Sequence, residues 1–319
     1  MIIGRVIGVF FLVLVGIFVN KIGWLPLEST KPLSKLVVNV AAPCVIVSSM
    51  SNQELGGSGM QLFLMLAIVA AIQYIYAIAF SIPAARILSP GKEHRGLYRN
   101  FLVLSNNAFL GIPITLVIYG VPGMFYMVIL NCFLSIVMFT VGVYNVESSL
   151  PGNLDGEGSK WHIARFAKSM INAPFIGVII GMTIMLFQID VPIIITEVLD
   201  TLGAMMAPLA MIIIGVQLSQ SNPKELFLNK RLIIMSVLKL LILPGIWFVA
   251  TLPFYMNGTF NPMMTGALVL NLMFPSATIC SIFAEEYGAD AKFAAEGVFL
   301  STLLSMITLP IASVLLHML

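Results

Sequence analysis

Charge is what this 319-residue sequence has least of: Asp, Glu, Lys and Arg together make up 9% of it, against 59% hydrophobic residues. A water-soluble domain needs more polar surface than that to cover itself, and the mean hydropathy of +1.02 makes lipid the expected solvent. The net charge is only +2 and no basic patch gathers it, which excludes nucleic acid as a partner. Cysteine is scarce as well. Cys44, Cys132 and Cys280 sit in apolar runs without a CxxC or CxxxH neighbourhood, so they read as buried thiols and no metal site is expected. No GxxxxGK[ST] phosphate loop occurs, which excludes a self-contained ATP-driven pump. His94, His162 and His317 fall in polar connections or at the terminus, so no histidine dyad forms within a span and an enzyme is not expected. The methionines show no paired spacing with His or Cys and read as packing rather than as a metal path; no cofactor is implied.

What is abundant is apolar sequence in long runs. A bilayer core about 30 Å thick takes roughly 20 apolar residues per helix. Dividing the chain at its polar and Pro/Gly-rich breaks predicts ten spans, near 4–21, 33–50, 60–87, 98–119, 122–146, 170–188, 193–218, 231–255, 262–284 and 295–317. The first runs into Asn20 and Lys21 without a small-residue cleavage site, and so is a retained span rather than a signal peptide. Odd-numbered connections carry the basic residues: Lys21, Lys31 and Lys35, then Arg86, Lys92, Arg95 and Arg99, then Lys160, Arg165 and Lys168, then Lys224, Lys230 and Arg231, then Lys292. Even-numbered connections carry none. The positive-inside rule puts the odd connections in the cytoplasm and both termini outside, in a plasma or inner membrane. Only Arg5 and Lys239 stand apart from the cytoplasmic set.

Ala42-Pro43 recurs as Ala207-Pro208, and Pro113 as Pro275, each about half the chain apart. Equivalent helices five spans apart cross in opposite directions, so the expected fold is an all-α integral membrane protein of ten helices in two inverted five-helix repeats. The repeats cover 1–146 and 170–319, with a polar cytoplasmic linker over 147–169. The fourth span reads Leu104-Ser105-Asn106-Asn107-Ala108-Phe109-Leu110-Gly111-Ile112-Pro113, and the ninth Asn271-Leu272-Met273-Phe274-Pro275-Ser276-Ala277-Thr278. Proline removes a donor and glycine lowers the cost of unwinding, so both helices are expected to break there. Broken backbone in hydrocarbon must line a polar cavity. Two crossing breaks would aim helix N-termini at one point, which favours an anion, with Asn106, Asn107 and Asn271 adding neutral hydrogen bonds. The bland alternative is kinked helices with asparagines that pair them.

Asn106-Asn107-x-x-x-Gly111-x-Pro113, Phe274-Pro275-Ser276-Ala277 with Ala284-Glu285-Glu286-Tyr287-Gly288, and Pro208-Leu209-Ala210 through Gly215 to Leu218 together resemble the auxin efflux carrier family, over essentially the whole chain. That family includes plant auxin exporters and bacterial permeases linked to malate or malonate; the long plant loop is reduced here to the short linker. The resemblance implies a bile-acid symporter-like fold, a dimerising scaffold of helices 1, 2, 6 and 7, and a moving transport domain of helices 3–5 and 8–10. It also implies an organic-anion site at the crossover. Motif by motif this assigns Asn106, Asn107, Gly111, Pro113, Pro275 and Ser276 to substrate. Asn271 is added on its position in the ninth span, and Thr278 as a polar group of the same stretch.

Lys239 lies about two turns inside the eighth span, where an ionisable group is a functional candidate. It could neutralise a substrate carboxylate, take the place of a coupling cation, or snorkel to the interface. Glu197 and Asp200 read as interfacial, with proton coupling as the alternative, and Glu285, Glu286, Asp290 and Glu296 as a hydrated face. Asn131 either lines the cavity or bonds a neighbouring helix. Three functions compete: a carrier of small organic anions, a channel or membrane sensor, and an intramembrane enzyme, with a carrier of neutral solutes as a variant of the first. Two antiparallel broken helices suit alternating access best. Neither the direction of transport nor the coupling ion follows from the sequence.

Overall fold

The computed structural model describes residues 2–51, 57–89, 94–148, 150, 173–219 and 228–317. The expected linker from residue 151 on lies outside these, as do Lys92, Lys160, His162, Arg165, Lys168 and Lys224. Every regular element among the described residues is helical, as hydrocarbon surroundings demand, because a helix satisfies its own backbone. In order they are α1 (Ile2–Lys21), α2 (Thr30–Leu36), α3 (Ala42–Ser51), α4 (Gly57–Leu88), α5 (Arg95–Val103), α6 (Ile112–Val137) and α7 (Val143–Glu147). The second half has α8 (Ala173–Phe187), α9 (Ile193–Ala204), α10 (Met206–Leu218), α11 (Lys230–Val237), α12 (Leu243–Met256), α13 (Pro262–Met273), α14 (Ile279–Tyr287) and α15 (Ala291–His317). Among the described residues six stretches are long and apolar enough to cross a membrane: Leu27–Ser51, Gln61–Leu88, Asn107–Glu147, Ile193–Leu218, Lys230–Met256 and Ala291–Leu316.

Proline writes the irregularities. Three of the four π-helical turns among the described residues, Val37–Ala41, Asn107–Gly111 and Leu238–Ile242, each end two residues before a proline, namely Pro43, Pro113 and Pro244, whereas the fourth, Met138–Gly142, has no proline after it at that spacing. Proline has no N–H to give the carbonyl four residues back and clashes with it, and a wider turn relieves the clash without breaking the helix. Pro113 therefore does not sit at the break expected in the fourth span; it lies in the first turn of α6, while the chain unwinds at Leu104–Asn106. The ninth-span break does contain its proline, between the end of α13 and the start of α14. Within α6, Gly120 adopts φ 67, ψ −164, so this continuous apolar stretch turns sharply just before Pro122. That backbone region is open to glycine alone.

The chain divides into two compact units, one of residues 1–69, 108–132 and 170–221 and one of residues 70–107, 133–169 and 222–319. In the first, α1 packs on α10 through glycines. A Cβ on Gly16 would lie 2.3 Å from the Ile212 carbonyl oxygen, and one on Gly215 2.1 Å from that of Val13. Close backbone approach of this kind replaces the hydrophobic effect as the source of helix association in lipid. Likewise α3 packs against α8, where Gly177 meets Pro43 and Gly181 meets Met50, and against α9, where Gly203 meets Val45. In the second unit the core gathers Tyr98, Phe101, Phe283 and Phe293 with Leu97, Leu104 and Leu300. Phe101 fills the space over Gly297 of α15, where a Cβ would lie 2.5 Å from its ring.

Candidate functional site

The two broken segments of the second unit meet. Ser105 and Ser276 form an antiparallel bridge, the Asn106 N–H donates to the Pro275 carbonyl at 2.8 Å, and the Ala277 N–H donates to the Leu104 carbonyl at 2.9 Å. Each break thus satisfies the other's backbone, which a single unwound segment in hydrocarbon could not do. Side chains complete the join. The Ser276 hydroxyl donates to the Phe101 carbonyl at 2.9 Å, and the Ser276 N–H donates to the Ser301 hydroxyl at 3.2 Å. Beyond the join, α14 starts at Ile279, and the N–H groups of its first turn are held by the preceding backbone, Cys280 donating to the Ala277 carbonyl at 3.0 Å and Ser281 to the Thr278 carbonyl at 3.1 Å.

Lys239 does not snorkel. Its side chain is fully buried, and its ammonium donates to the Leu102 carbonyl at 3.0 Å and to the Ser105 hydroxyl at 2.8 Å. Leu102 belongs to the last turn of α5, where carbonyls lack intrahelical partners and the helix dipole favours a cation. Lys239 reaches it from the π turn Leu238–Ile242, the turn that Pro244 imposes. Among the described residues no carboxylate lies within ion-pair distance of it; the contact of His94 Nε2 with Asp290 Oδ2, at 3.2 Å, is an exposed one just before α5 and α15.

A chain of amides runs beside the join. Gln73 Nε2 donates to the Leu268 carbonyl at 2.6 Å, and Asn271 Nδ2 donates to Gln73 Oε1 at 3.2 Å and to the Tyr74 hydroxyl at 3.3 Å. Asn107 Nδ2 then donates to Asn271 Oδ1 at 2.9 Å. All four side chains are buried, and Asn107 Oδ1 has no partner. Leaving a buried acceptor unsatisfied costs about 1–3 kcal/mol, so a protein that keeps one keeps it for a reason.

Of the residues singled out from sequence, Asn106, Asn107, Asn271, Pro275, Ser276 and Lys239 come together in the second unit, all buried. Thr278 is half-buried at the N-cap of α14. Gly111 and Pro113 are buried, and Asn131 half-buried, in the segment 108–132 of the first unit. Sequence reasoning missed Gln73, Tyr74, Ser105 and Ser301. Gln73 was legible as an amide in the apolar third span, whereas a serine or tyrosine in lipid carries no such signal. It also missed Asn100, which donates to the Gly142 carbonyl at 2.8 Å and accepts from Asn145 Nδ2 at 2.9 Å, tying α5 to the turn before α7. Asp200, exposed on α9, accepts a hydrogen bond from Ser48.

An uncharacterized transporter of Methanothermobacter thermautotrophicus is 27% identical over 317 residues, which are 98% of this chain and 97% of that one. A second, from Methanocaldococcus jannaschii, is 25% identical over 309 residues, 95% of each chain. The sequence profile described as membrane transport protein, that of the auxin efflux carrier family, matches residues 1–313. A multi-pass, membrane-embedded transporter accounts for the apolar helices, the broken pair and these relatives together, and the chain belongs to the auxin efflux carrier family.

Proposed function

We propose that this transporter is a secondary or facilitative carrier of small organic anions, dicarboxylates or auxin-like carboxylic acids, that binds its cargo at the crossover and moves it by elevator-like alternating access. The observation that carries the reading is Lys239: a fully buried lysine side chain at the join of two broken helices, with no acidic partner among the described residues. An unpaired charge in such a place is costly. A substrate carboxylate completes the pair that the protein leaves unmade.

On this reading ten spans form two inverted repeats, and the antiparallel Ser105–Ser276 bridge supports that relation. Helices 1, 2, 6 and 7 form a scaffold through which two copies associate, and helices 3–5 and 8–10 carry the substrate. The division into two compact units supports this partition, differing over 60–69 and 108–132. The protein sits in the cell membrane with both termini outside.

A thermal-shift screen of purified protein against mono- and dicarboxylates, aromatic acids and neutral analogues tests it, since a ligand that binds only the folded state raises apparent stability. A carboxylate shift lost in Lys239→Met is the expected result. Stabilisation by neutral solutes alone would overturn the anion reading.

A further inference from the structure

We infer that Asn107 selects cargo that carries a hydrogen-bond donor, an O–H or N–H, in addition to its carboxylate; this rests on the organic-anion reading above and names its substrate class. The amide chain is anchored at the Leu268 carbonyl, at the end away from Asn107. A backbone carbonyl can only accept, so Gln73 must turn its NH2 group to the Leu268 oxygen, as it does at 2.6 Å. Its Oε1 is then left to face Asn271, which must answer with Nδ2, and does so at 3.2 Å. Asn271 is thereby obliged to offer Oδ1 to Asn107, which donates Nδ2 at 2.9 Å. Each amide has one accepting and one donating end, so a single carbonyl orients all three, and flipping any one of them would set two donors or two acceptors face to face.

The polarity leaves one acceptor at the far end of the amide chain, Asn107 Oδ1, on a residue 1% exposed and without a partner. Asn107 follows directly on the join of the two breaks, next to Asn106. An isolated asparagine rotates to offer whichever end a ligand wants. This one cannot, because turning its NH2 outward would break the chain back to Leu268. The carboxylate of the cargo is therefore served elsewhere, by cationic and N–H groups, while Asn107 reads a second feature that can donate. A 2-hydroxy acid or an acid with a ring or amino N–H fits; its deoxy or O-methyl counterpart leaves the acceptor unsatisfied, which is how a site built to hydrogen-bond a hydroxyl rejects an analogue that lacks one. Gln73 acts as a positioning residue, since it touches no substrate and acts through Asn271 and Asn107.

Matched acids test this on the purified full-length protein: lactate with propionate and 2-methoxypropionate, malate with succinate, and 3-phenyllactate with 3-phenylpropionate, each titrated by thermal shift and competed in liposome uptake. In at least one set the hydroxy acid is expected to bind about tenfold or more tightly than both its deoxy and O-methyl partners. Gln73→Leu, which frees the amides to turn, is expected to keep carboxylate binding while shrinking that preference to about twofold or less. Equal binding of hydroxy and deoxy acids, or of the methyl ether and the hydroxy acid, overturns the inference and leaves the anion reading intact. A preference undiminished in folded Gln73→Leu overturns the amide chain as its cause. Absence of binding by any carboxylate overturns the anion reading and this inference with it. If Gln73→Leu does not fold, the wild-type comparison decides alone.

Discussion

Lys239 and Asn107 are both polar groups whose meaning depends on what they touch. The lysine holds a helix-end carbonyl and a hydroxyl of the unwound segment, two acceptors of the kind that would otherwise draw a free cation. Lys239→Met keeps the length of the side chain and removes the charge. Replacing a buried, imperfectly paired ion by an apolar group of similar size changes stability little, so the variant is expected to purify folded with its melting temperature within a few degrees of wild type. Its uptake of any accepted acid should fall at least about tenfold, because one tenfold step corresponds to about 1.4 kcal/mol and a lost charge contact to a substrate anion exceeds that. Uptake unchanged in a folded Lys239→Met protein would remove the lysine from the binding site.

Several elements owe their shape to single residues that regular helices avoid. Pro43, Pro113 and Pro244 each widen the preceding turn, and two of those turns carry the side chains that matter, Asn107 and Lys239. Such turns recur at functional sites because they rotate a side chain without unfolding its helix. Gly120 does the opposite and stops a helix. At φ 67 and ψ −164 a Cβ meets no crowding side chain closer than 3.7 Å, so the penalty for Gly120→Ala is backbone strain alone. That penalty is about 1–3 kcal/mol and is expected as a lowered melting temperature in detergent, with ligand preference retained. An unchanged melting temperature would mean that the turn relaxes to another conformation. Helix positions were legible in the sequence: spans expected over 193–218, 231–255 and 295–317 correspond to helical stretches Ile193–Leu218, Lys230–Met256 and Ala291–Leu316. Their interruptions were legible only in part, since hydropathy averages over a window and a π turn or a three-residue break does not change it.

For the protein in its membrane, the proposed orientation rests on the distribution of Lys and Arg, because charged loops of that sign stay on the cytoplasmic side. A cysteine introduced by Ser159→Cys in the linker should react with a membrane-impermeant maleimide only after cells are permeabilised, the native Cys44, Cys132 and Cys280 being buried or half-buried. Labelling of intact cells would reverse the orientation. The close helix contacts of the first unit, where Gly16 and Gly215 let backbones touch, are the kind that hold a rigid body together in lipid.

Composition and periodicity by themselves determined the solvent, the helical class, the placement of several long helices and, through the amide-then-proline pattern, the stretches within which two helices break. These are properties of local sequence, in which each residue votes independently of distant partners. Which way an amide faces, and whether a lysine snorkels or plugs a crossover, was decided by tertiary structure alone. Lys239 finds its acceptors at Leu102 and Ser105, more than a hundred residues earlier, and Asn107 takes its orientation from Leu268 through Gln73 and Asn271. A hydrogen bond is directional and short-ranged, so its partner is set by the fold and not by any spacing along the chain.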